Sequence, residues 1–171
     1  MDKENFAQLV WESRDTMYRV AKSILYSEAD CEDAVSQAIV NGFSRLSSLK
    51  KDEYARTWLI RIEIRECCKL YRLRRREESY ETYEQKQDSR QGFVLDCGKE
   101  EYSDLYQAML KLPLEYRVAL VLYYLDGYSI KEIAQIQKTT AGTVKSRLSR
   151  GRQKLKKLLT EYQEEESYEK S

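Results

Sequence analysis

The stretch 128–159 constrains the fold more than any other part of the chain, because two helix patterns are separated there by a short polar turn. Ser129 is followed three residues later by Glu132, a spacing typical of a capping box at a helix start. The polar run 137–140 interrupts the apolar spacing, and Thr140 can cap a second helix. The second helix carries an apolar stripe of Val144, Leu148, Leu155, Leu158 and Leu159. The pattern predicts a helix-turn-helix whose second helix can enter a DNA major groove.

Positive charge is concentrated on this second helix. Residues 138–157 include eight Lys or Arg and no Asp or Glu, whereas the whole chain of 171 residues has a formal net charge of only +1. A local excess of positive charge attracts phosphate. The alternative is a solvated basic helix end that complements the helix dipole. The charge distribution favours a nucleic-acid partner.

The composition argues against several functional classes. No stretch approaches the roughly 20 apolar residues of a membrane span, and the first residues lack the layout of a signal peptide, so we expect a cytoplasmic protein. The chain has no histidine and no CxxC pair, so we expect no metal and no cofactor. Buried free thiols are the expected state of its cysteines, Cys31, Cys67, Cys68 and Cys97. No nucleophile elbow, phosphate-binding glycine loop or HExxH motif is present, so we do not expect an enzyme.

Apolar residues at helical spacing predict three helices in the first half of the chain, at 6–25, at 28–46 and from about residue 56 onwards. In the second of these helices we expect Phe43 to face the core. The polar segment 47–55 is predicted to form an exposed loop. The third helix carries eight basic and two acidic residues between positions 56 and 76. It therefore supplies a second basic surface, separate in sequence from the first.

An acidic segment divides the chain in two. Residues 77–101 contain eight acidic and three basic residues with little periodicity, which predicts a flexible linker. The apolar run 118–125 predicts a buried helix that ends near Gly127. The expected fold class is all-α, with two small helical domains at 1–76 and 102–171 and the helix-turn-helix in the C-terminal one.

Four segments of the chain together resemble bacterial RNA polymerase sigma factors of the extracytoplasmic-function group, the group IV subfamily of the sigma-70 family. They are ADCEDAVSQA at 29–38, RTWLIRI at 56–62, LPLEYRVALVL at 112–122 and GTVKSRLSRGRQKL at 142–155. Such factors keep only the second and fourth sigma domains. The resemblance implies that 1–76 is the second domain, that 102–171 is the fourth, and that the protein is a non-enzymatic initiation factor.

The resemblance also implies three sets of site residues. The set that reads the minus-thirty-five element would be Thr143, Lys145, Ser146, Arg147, Ser149, Arg150 and Arg152. The set that binds and melts the minus-ten element would be Lys50, Lys51, Arg56, Trp58, Arg61, Arg65, Lys69 and Arg72, although Trp58 could instead be a core aromatic residue. The set that binds polymerase would be Asp33, Gln37 and Asn41, although Asp33 and Gln37 could simply be a solvated face at a helix start.

The implied partners are promoter DNA, core RNA polymerase through its β′ clamp helices and its β flap, and an anti-sigma factor that releases the protein under envelope stress. In relatives this inhibitor is often anchored in the membrane. No small-molecule substrate is implied. Where relatives usually have a glycine and an apolar residue in the turn, this chain has Lys138 and Thr139. Arg65 and Lys69 stand where relatives often carry Asn and Asp, and Gly151 where alanine is usual.

Two other functions fit part of the sequence. A dimeric helix-turn-helix regulator that binds a palindrome would explain 128–159 but leaves the basic helix from residue 56 unused. A helical scaffold that binds only proteins would have little salt-dependent affinity for nucleic acid.

Overall fold

The computed structural model describes residues 1–77 and 103–169, and all regular secondary structure within these ranges is helical. The N-terminal group of helices consists of α1 (Lys3–Ile24), α2 (Glu28–Ser44) and α3 (Ala55–Glu77). The C-terminal group consists of α4 (Ser103–Leu110), α5 (Leu114–Leu120), a π-helical turn (Val121–Leu125), α6 (Ile130–Gln137) and α7 (Ala141–Glu169). The predicted all-α fold class is confirmed. The predicted linker lies outside the described residues, except that Glu77 is the last residue of α3.

Short-range hydrogen bonds explain where the first two helices begin. Asp2 caps α1, because its carboxylate accepts a hydrogen bond from the backbone N–H of Asn5 at 2.7 Å. Ser27 caps α2 in the same way, with the backbone N–H of Asp30 at 3.0 Å from its hydroxyl. Each cap satisfies an amide that has no partner within its own helix.

The segment between α2 and α3 is more regular than the predicted exposed loop. It forms two 3₁₀ turns, Leu46–Ser48 and Asp52–Tyr54, with Lys50 and Lys51 exposed between them. The predicted loop included Ala55, but this residue is buried and begins α3. The turns therefore hold the start of α3 against the core.

The N-terminal group packs as three helices around a common apolar centre. Met17 and Val20 of α1, Ala34 of α2, and Leu59 and Ile60 of α3 are fully buried there. The prediction for Phe43 is wrong, since 46% of this residue is exposed. The buried stripe of α2 runs along residues 31, 34, 38 and 42, and position 43 lies past its edge.

The C-terminal group is built on α7, which α4, α5 and α6 all contact. Gly151 allows α5 to approach α7 closely, because a Cβ atom at this position would lie 3.2 Å from Cδ1 of Leu120. Glycine lowers the intrinsic stability of a helix, but at position 151 this close contact between helices requires it.

The predicted buried helix over 118–125 is correct only in its first part. Residues 118–122 are buried, whereas Tyr123, Tyr124 and Leu125 are 38%, 53% and 44% exposed. The π-helical turn widens the helix at this point and rotates the following side chains away from the core. As predicted, the chain turns at Gly127, which has a φ of +67°.

The two groups of helices also contact each other. α1 contacts α5 and the π-helical turn, and α3 contacts α6. Most of the buried apolar residues of both groups form one continuous cluster. Tyr106 and Leu110 of α4 form a second, smaller cluster, against which Tyr26 packs. From the sequence we expected two separate domains, and this interface between them was not predicted.

Three of the four cysteines lie within the described residues, and all three are free thiols. Cys31 and Cys67 are buried, and Cys68 is half-buried. Burial raises the pKa of Cys31 to about 12, so its thiol stays protonated and unreactive at neutral pH. Cys97 lies outside the described residues. None of the described helices is both long enough and apolar enough to cross a membrane.

Candidate nucleic-acid interface

The helix-turn-helix begins with the predicted capping box. The backbone N–H of Glu132 donates to the Ser129 hydroxyl at 3.2 Å, and the Glu132 carboxylate accepts from the backbone N–H of Ser129 at 2.8 Å. The backbone hydrogen bond from Ser129 lowers the pKa of the Glu132 carboxyl. Because both partners are satisfied, the start of α6 is fixed by local interactions.

The turn between α6 and α7 is closed by backbone hydrogen bonds around a left-handed residue. Lys138 has a φ of 51° and is the only described residue other than glycine with positive φ. The backbone N–H of Thr139 donates to the carbonyl oxygen of Ala134 at 2.9 Å, and that of Lys138 donates to Gln135 at 3.4 Å. These two bonds form a Schellman motif, in which glycine is the usual left-handed residue. The sequence departure at Lys138 thus leaves the turn geometry intact.

Thr140 caps α7, as predicted. Its hydroxyl lies 3.2 Å from the backbone N–H of Thr143 and 3.0 Å from the Thr143 hydroxyl. Thr143 is half-buried and its hydroxyl is engaged by this cap. Of the predicted reading set, Thr143 is therefore positioned as part of the helix start.

Two arginines of the predicted reading set bind within the protein. Arg147 donates from Nη1 to Oε1 of Gln137 at 2.8 Å, and Gln137 donates in turn to the carbonyl oxygen of Glu115 at 2.9 Å. Arg152 donates to the hydroxyl of Tyr124 at 2.8 Å. These contacts join α7 to α6, to α5 and to the π-helical turn, so they set the orientation of α7.

The remaining members of the reading set form an open polar face near the start of α7. Val144 and Leu148 are buried and anchor the opposite face. This open polar face consists of Lys145, Ser146 and Arg150, which are exposed, and Ser149, which is half-exposed. These four side chains make no hydrogen bond or ion pair with any other described side chain. Such a face can donate to base edges and phosphates in a major groove.

The predicted minus-ten residues divide into three groups. Arg56 and Arg61 donate to backbone carbonyl groups of the C-terminal group of helices. Lys51 and Lys69 pair with neighbouring carboxylates, at 3.6 Å from Glu53 and 2.8 Å from Glu66 respectively, and Trp58 is half-buried against the core. The others are Lys50, Arg65 and Arg72, which are exposed, as are Arg56, Lys51 and Lys69. Within this set only Trp58 and Arg61 are half-buried.

The predicted polymerase-binding residues lie on one side of α2. Asp33 and Gln37 are exposed, and Gln37 donates to the side chain of Asn41 at 3.2 Å. Asp33 and Gln37 also line a shallow groove of about 490 Å³ between α2 and α3, together with Val40 and Leu73. Val40 and Leu73 are 57% and 47% exposed, so the groove offers apolar surface beside polar groups.

Sequence reasoning missed the polar residues at the interface between the two groups of helices. Asp126 has a side chain only 1% exposed and accepts hydrogen bonds from Thr16 and Arg19 of α1. Glu63 of α3 is fully buried. In the sequence, the only sign of a special role for Asp126 is its position between the apolar run 118–125 and Gly127. An aspartate followed by a glycine is also an ordinary turn pattern, so this position did not indicate an interface.

The fold and this surface define a helix-turn-helix DNA-binding protein. A family model described as sigma-70, region 4 matches residues 102–155. The chain is 27% identical to the ECF RNA polymerase sigma factor SigW of Bacillus subtilis (strain 168) over 172 residues, which covers 92% of this chain and 90% of that protein. It is 30% identical to the ECF RNA polymerase sigma factor EcfG of Rhodopseudomonas palustris (strain TIE-1) over 130 residues, or 75% of this chain and 70% of that protein.

A solved structure has the same architecture. The sigma factor RpoE of Bartonella quintana, in complex with the anti-sigma factor NepR, superposes with a TM-score of 0.74 and 26% identity, covering 92% of this chain and 98% of that chain. The chain therefore belongs to the ECF, or extracytoplasmic-function, family of RNA polymerase sigma factors.

Proposed function

We propose that this protein is a transcription initiation factor that binds core RNA polymerase and directs it to specific promoters. The observation that carries the proposal is the open polar face of α7. It consists of four side chains, Lys145, Ser146, Ser149 and Arg150, on a helix whose orientation is fixed by internal contacts. We assign this face to the minus-thirty-five element, because a helix of this kind can read base edges in the major groove.

The basic side of α3 is assigned to the minus-ten element. Arg65 and Arg72 are exposed on this helix, and Lys50 is exposed before it. Cations in a row can follow the backbone of a separated strand, and the half-buried Trp58 offers an aromatic surface beside them. Membership of the sigma family supports this assignment over a dimeric helix-turn-helix regulator, which would leave α3 without a role.

The groove between α2 and α3 is assigned to the β′ clamp helices of polymerase, with Asp33, Gln37 and Asn41 as the polar contacts. The C-terminal group of helices is assigned to the β flap. The protein would make no covalent change in its partners and would act in the cytoplasm, where polymerase and chromosome meet. An anti-sigma factor, as found with the Bartonella quintana RpoE, would hold it inactive, at the membrane if that factor is anchored there, until envelope stress releases it.

The test is transcription in vitro from a fragment library of the source genome, with core RNA polymerase and the purified protein. We expect discrete start sites that core polymerase alone does not produce. The matched control is the double variant Asp33→Ala/Gln37→Ala, which should bind core polymerase weakly while its helix-turn-helix is unchanged. If the wild-type protein gave no start sites although it bound core polymerase, the proposed function would be wrong.

A further inference from the structure

Lys138 has a backbone conformation that usually requires glycine. Its φ and ψ are both 51°, and it is the only residue other than glycine with positive φ in the part of the chain that the structure describes. A side chain in this left-handed region crowds its own backbone, and glycine is the usual residue at this place in a Schellman motif. The lysine therefore costs the turn some stability. Strain of this kind is typical of positions where a side chain serves binding.

The side chain of Lys138 is free. It is exposed and makes no hydrogen bond or ion pair with any described residue. Two other polar side chains of the run 137–140 are engaged within the protein. Gln137 donates to a backbone carbonyl of α5, and Thr140 caps α7. Lys138 is thus the one side chain of this turn that carries a charge and has no described partner.

No carboxylate near it in the sequence neutralises this charge. Between Glu132 and Glu161 the chain has no Asp or Glu. The Glu132 carboxylate accepts hydrogen bonds from the backbone N–H and from the hydroxyl of Ser129, both at 2.8 Å, and so is held at the start of α6. An exposed and unpaired cation attracts phosphate.

The turn that carries Lys138 lies at the end of α7 that would enter a groove. Lys138 precedes the cap residue Thr140 by two positions, and Lys145 of the open polar face follows that cap by five. A helix with its side chains is about 10–12 Å wide, and the major groove is about 12 Å wide. A helix that fills the groove brings the residues before its first turn next to a sugar–phosphate strand.

We propose that Lys138 binds a backbone phosphate of the duplex whose bases the open polar face of α7 reads. This inference rests on the proposed function, in which that face reads the minus-thirty-five element. A glycine at position 138 would relieve the strain in the turn but could not make the contact. Lys138 therefore adds affinity that does not depend on base sequence, at the expense of stability in the turn.

A purely structural role makes a different prediction. The ammonium of Lys138 lies at the C-terminal end of α6, where a positive charge complements the helix dipole. If that were its whole role, removal of the charge would change the stability of the protein and leave its affinity for DNA as it is.

The test uses the full-length chain with three substitutions at this position. Lys138→Gln removes the charge and keeps a side chain on the left-handed backbone, Lys138→Arg keeps the charge, and Lys138→Gly removes both the charge and the strain. The matched control is Lys157→Gln, which removes the same charge from an exposed lysine about 24 Å from the start of α7. Circular dichroism verifies that each variant keeps its helical content.

The affinity for a fluorescent DNA duplex of random sequence, about 30 base pairs long, is measured by anisotropy between about 20 and 150 mM KCl. Lys138→Gln and Lys138→Gly should each lower the slope of log affinity against log salt concentration by about 0.9, because one phosphate fewer releases its counterion. At about 50 mM KCl we expect both to bind about threefold or more weakly. Lys138→Arg should match wild type, and Lys157→Gln should change the slope less than half as much as Lys138→Gln.

An unchanged slope and affinity in Lys138→Gln would overturn the proposal and leave only the interaction with the helix dipole. Equal losses in Lys138→Gln and Lys157→Gln would overturn it as well, since the effect would then follow net charge alone. A wild-type protein with no measurable affinity for the duplex at the lowest salt concentration would have the same consequence. No arm of this test contains polymerase, so its failure is distinct from a failure of the wild-type protein to direct initiation.

Discussion

Single side chains decide which of the cations in this protein are available to DNA. Arg147 and Arg152 carry the same charge as Lys145 and Arg150, but the first two are held by Gln137 and Tyr124. A count of basic residues along the sequence cannot make this distinction, because it depends on partners in other helices. Base reading is therefore expected from the side chains that have no internal partner.

Lys145→Ala tests this expectation. Loss of a base contact should weaken binding to the cognate promoter duplex by about 1–3 kcal/mol and binding to unrelated duplex by much less. The measurement is fluorescence anisotropy with the holoenzyme, on promoters found by start-site mapping. The matched control is Lys156→Ala, an exposed lysine three turns further along α7, which should weaken both duplexes about equally. A uniform loss for Lys145→Ala would argue against base reading.

We expect Glu63 to make the stability of the protein depend on pH. Burial, and to a smaller extent the nearby charge of Asp126, raises the pKa of the Glu63 carboxyl well above 4.5 in the folded protein. Above about pH 4.5 the unfolded chain therefore loses this proton while the folded chain keeps it, so rising pH favours unfolding up to the folded pKa.

Glu63→Gln replaces the carboxyl group with an amide of nearly the same shape that does not titrate. Relative to wild type, the variant should gain free energy of unfolding as the pH rises above about 4.5, by at most about 1.4 kcal/mol per pH unit. Urea denaturation at several pH values measures the difference, which should be smallest near pH 4, where both side chains are neutral. A difference that does not change with pH would show that the carboxyl is ionised in the folded state.

At the level of the helices, local signals predicted most boundaries. The capping residues Ser129 and Thr140 act within three residues of themselves, so their role is legible in the sequence. The exposure of Phe43 and of residues 123–125 was not predictable in this way. It depends on which stripe of α2 meets its neighbours and on a π-helical turn that shifts the register.

Lys138→Gly tests the strain in the turn before α7. A side chain in the left-handed region costs about 1–2 kcal/mol, part of which the flexibility of glycine in the unfolded chain offsets. We expect a net stabilisation of about 0.5–1 kcal/mol, measured by thermal or urea denaturation. Lys138→Ala is the control, because it removes the charge and keeps the strained backbone. Equal effects of the two substitutions would assign the change to charge.

At the level of the whole molecule, the interface between the two groups of helices is the feature that sequence reasoning could not supply. Thr16 and Asp126 are 110 positions apart, and neither belongs to a motif. The all-α class, the helix-turn-helix and its charge were predictable because each rests on neighbouring residues. The pairing of Arg56 and Arg61 with the C-terminal group rests on how two helical groups meet, which periodicity does not encode.

The hydrogen bonds that run from Arg147 through Gln137 to Glu115 have a consequence for promoter choice. They fix the orientation of α7 within the C-terminal group of helices, and they do so without the four side chains that are proposed to touch the bases. Under the proposed function, new sequence preferences are therefore expected from substitutions at positions 145, 146, 149 and 150, with the scaffold left as it is. A small library at these four sites is a practical route to orthogonal variants for synthetic gene circuits.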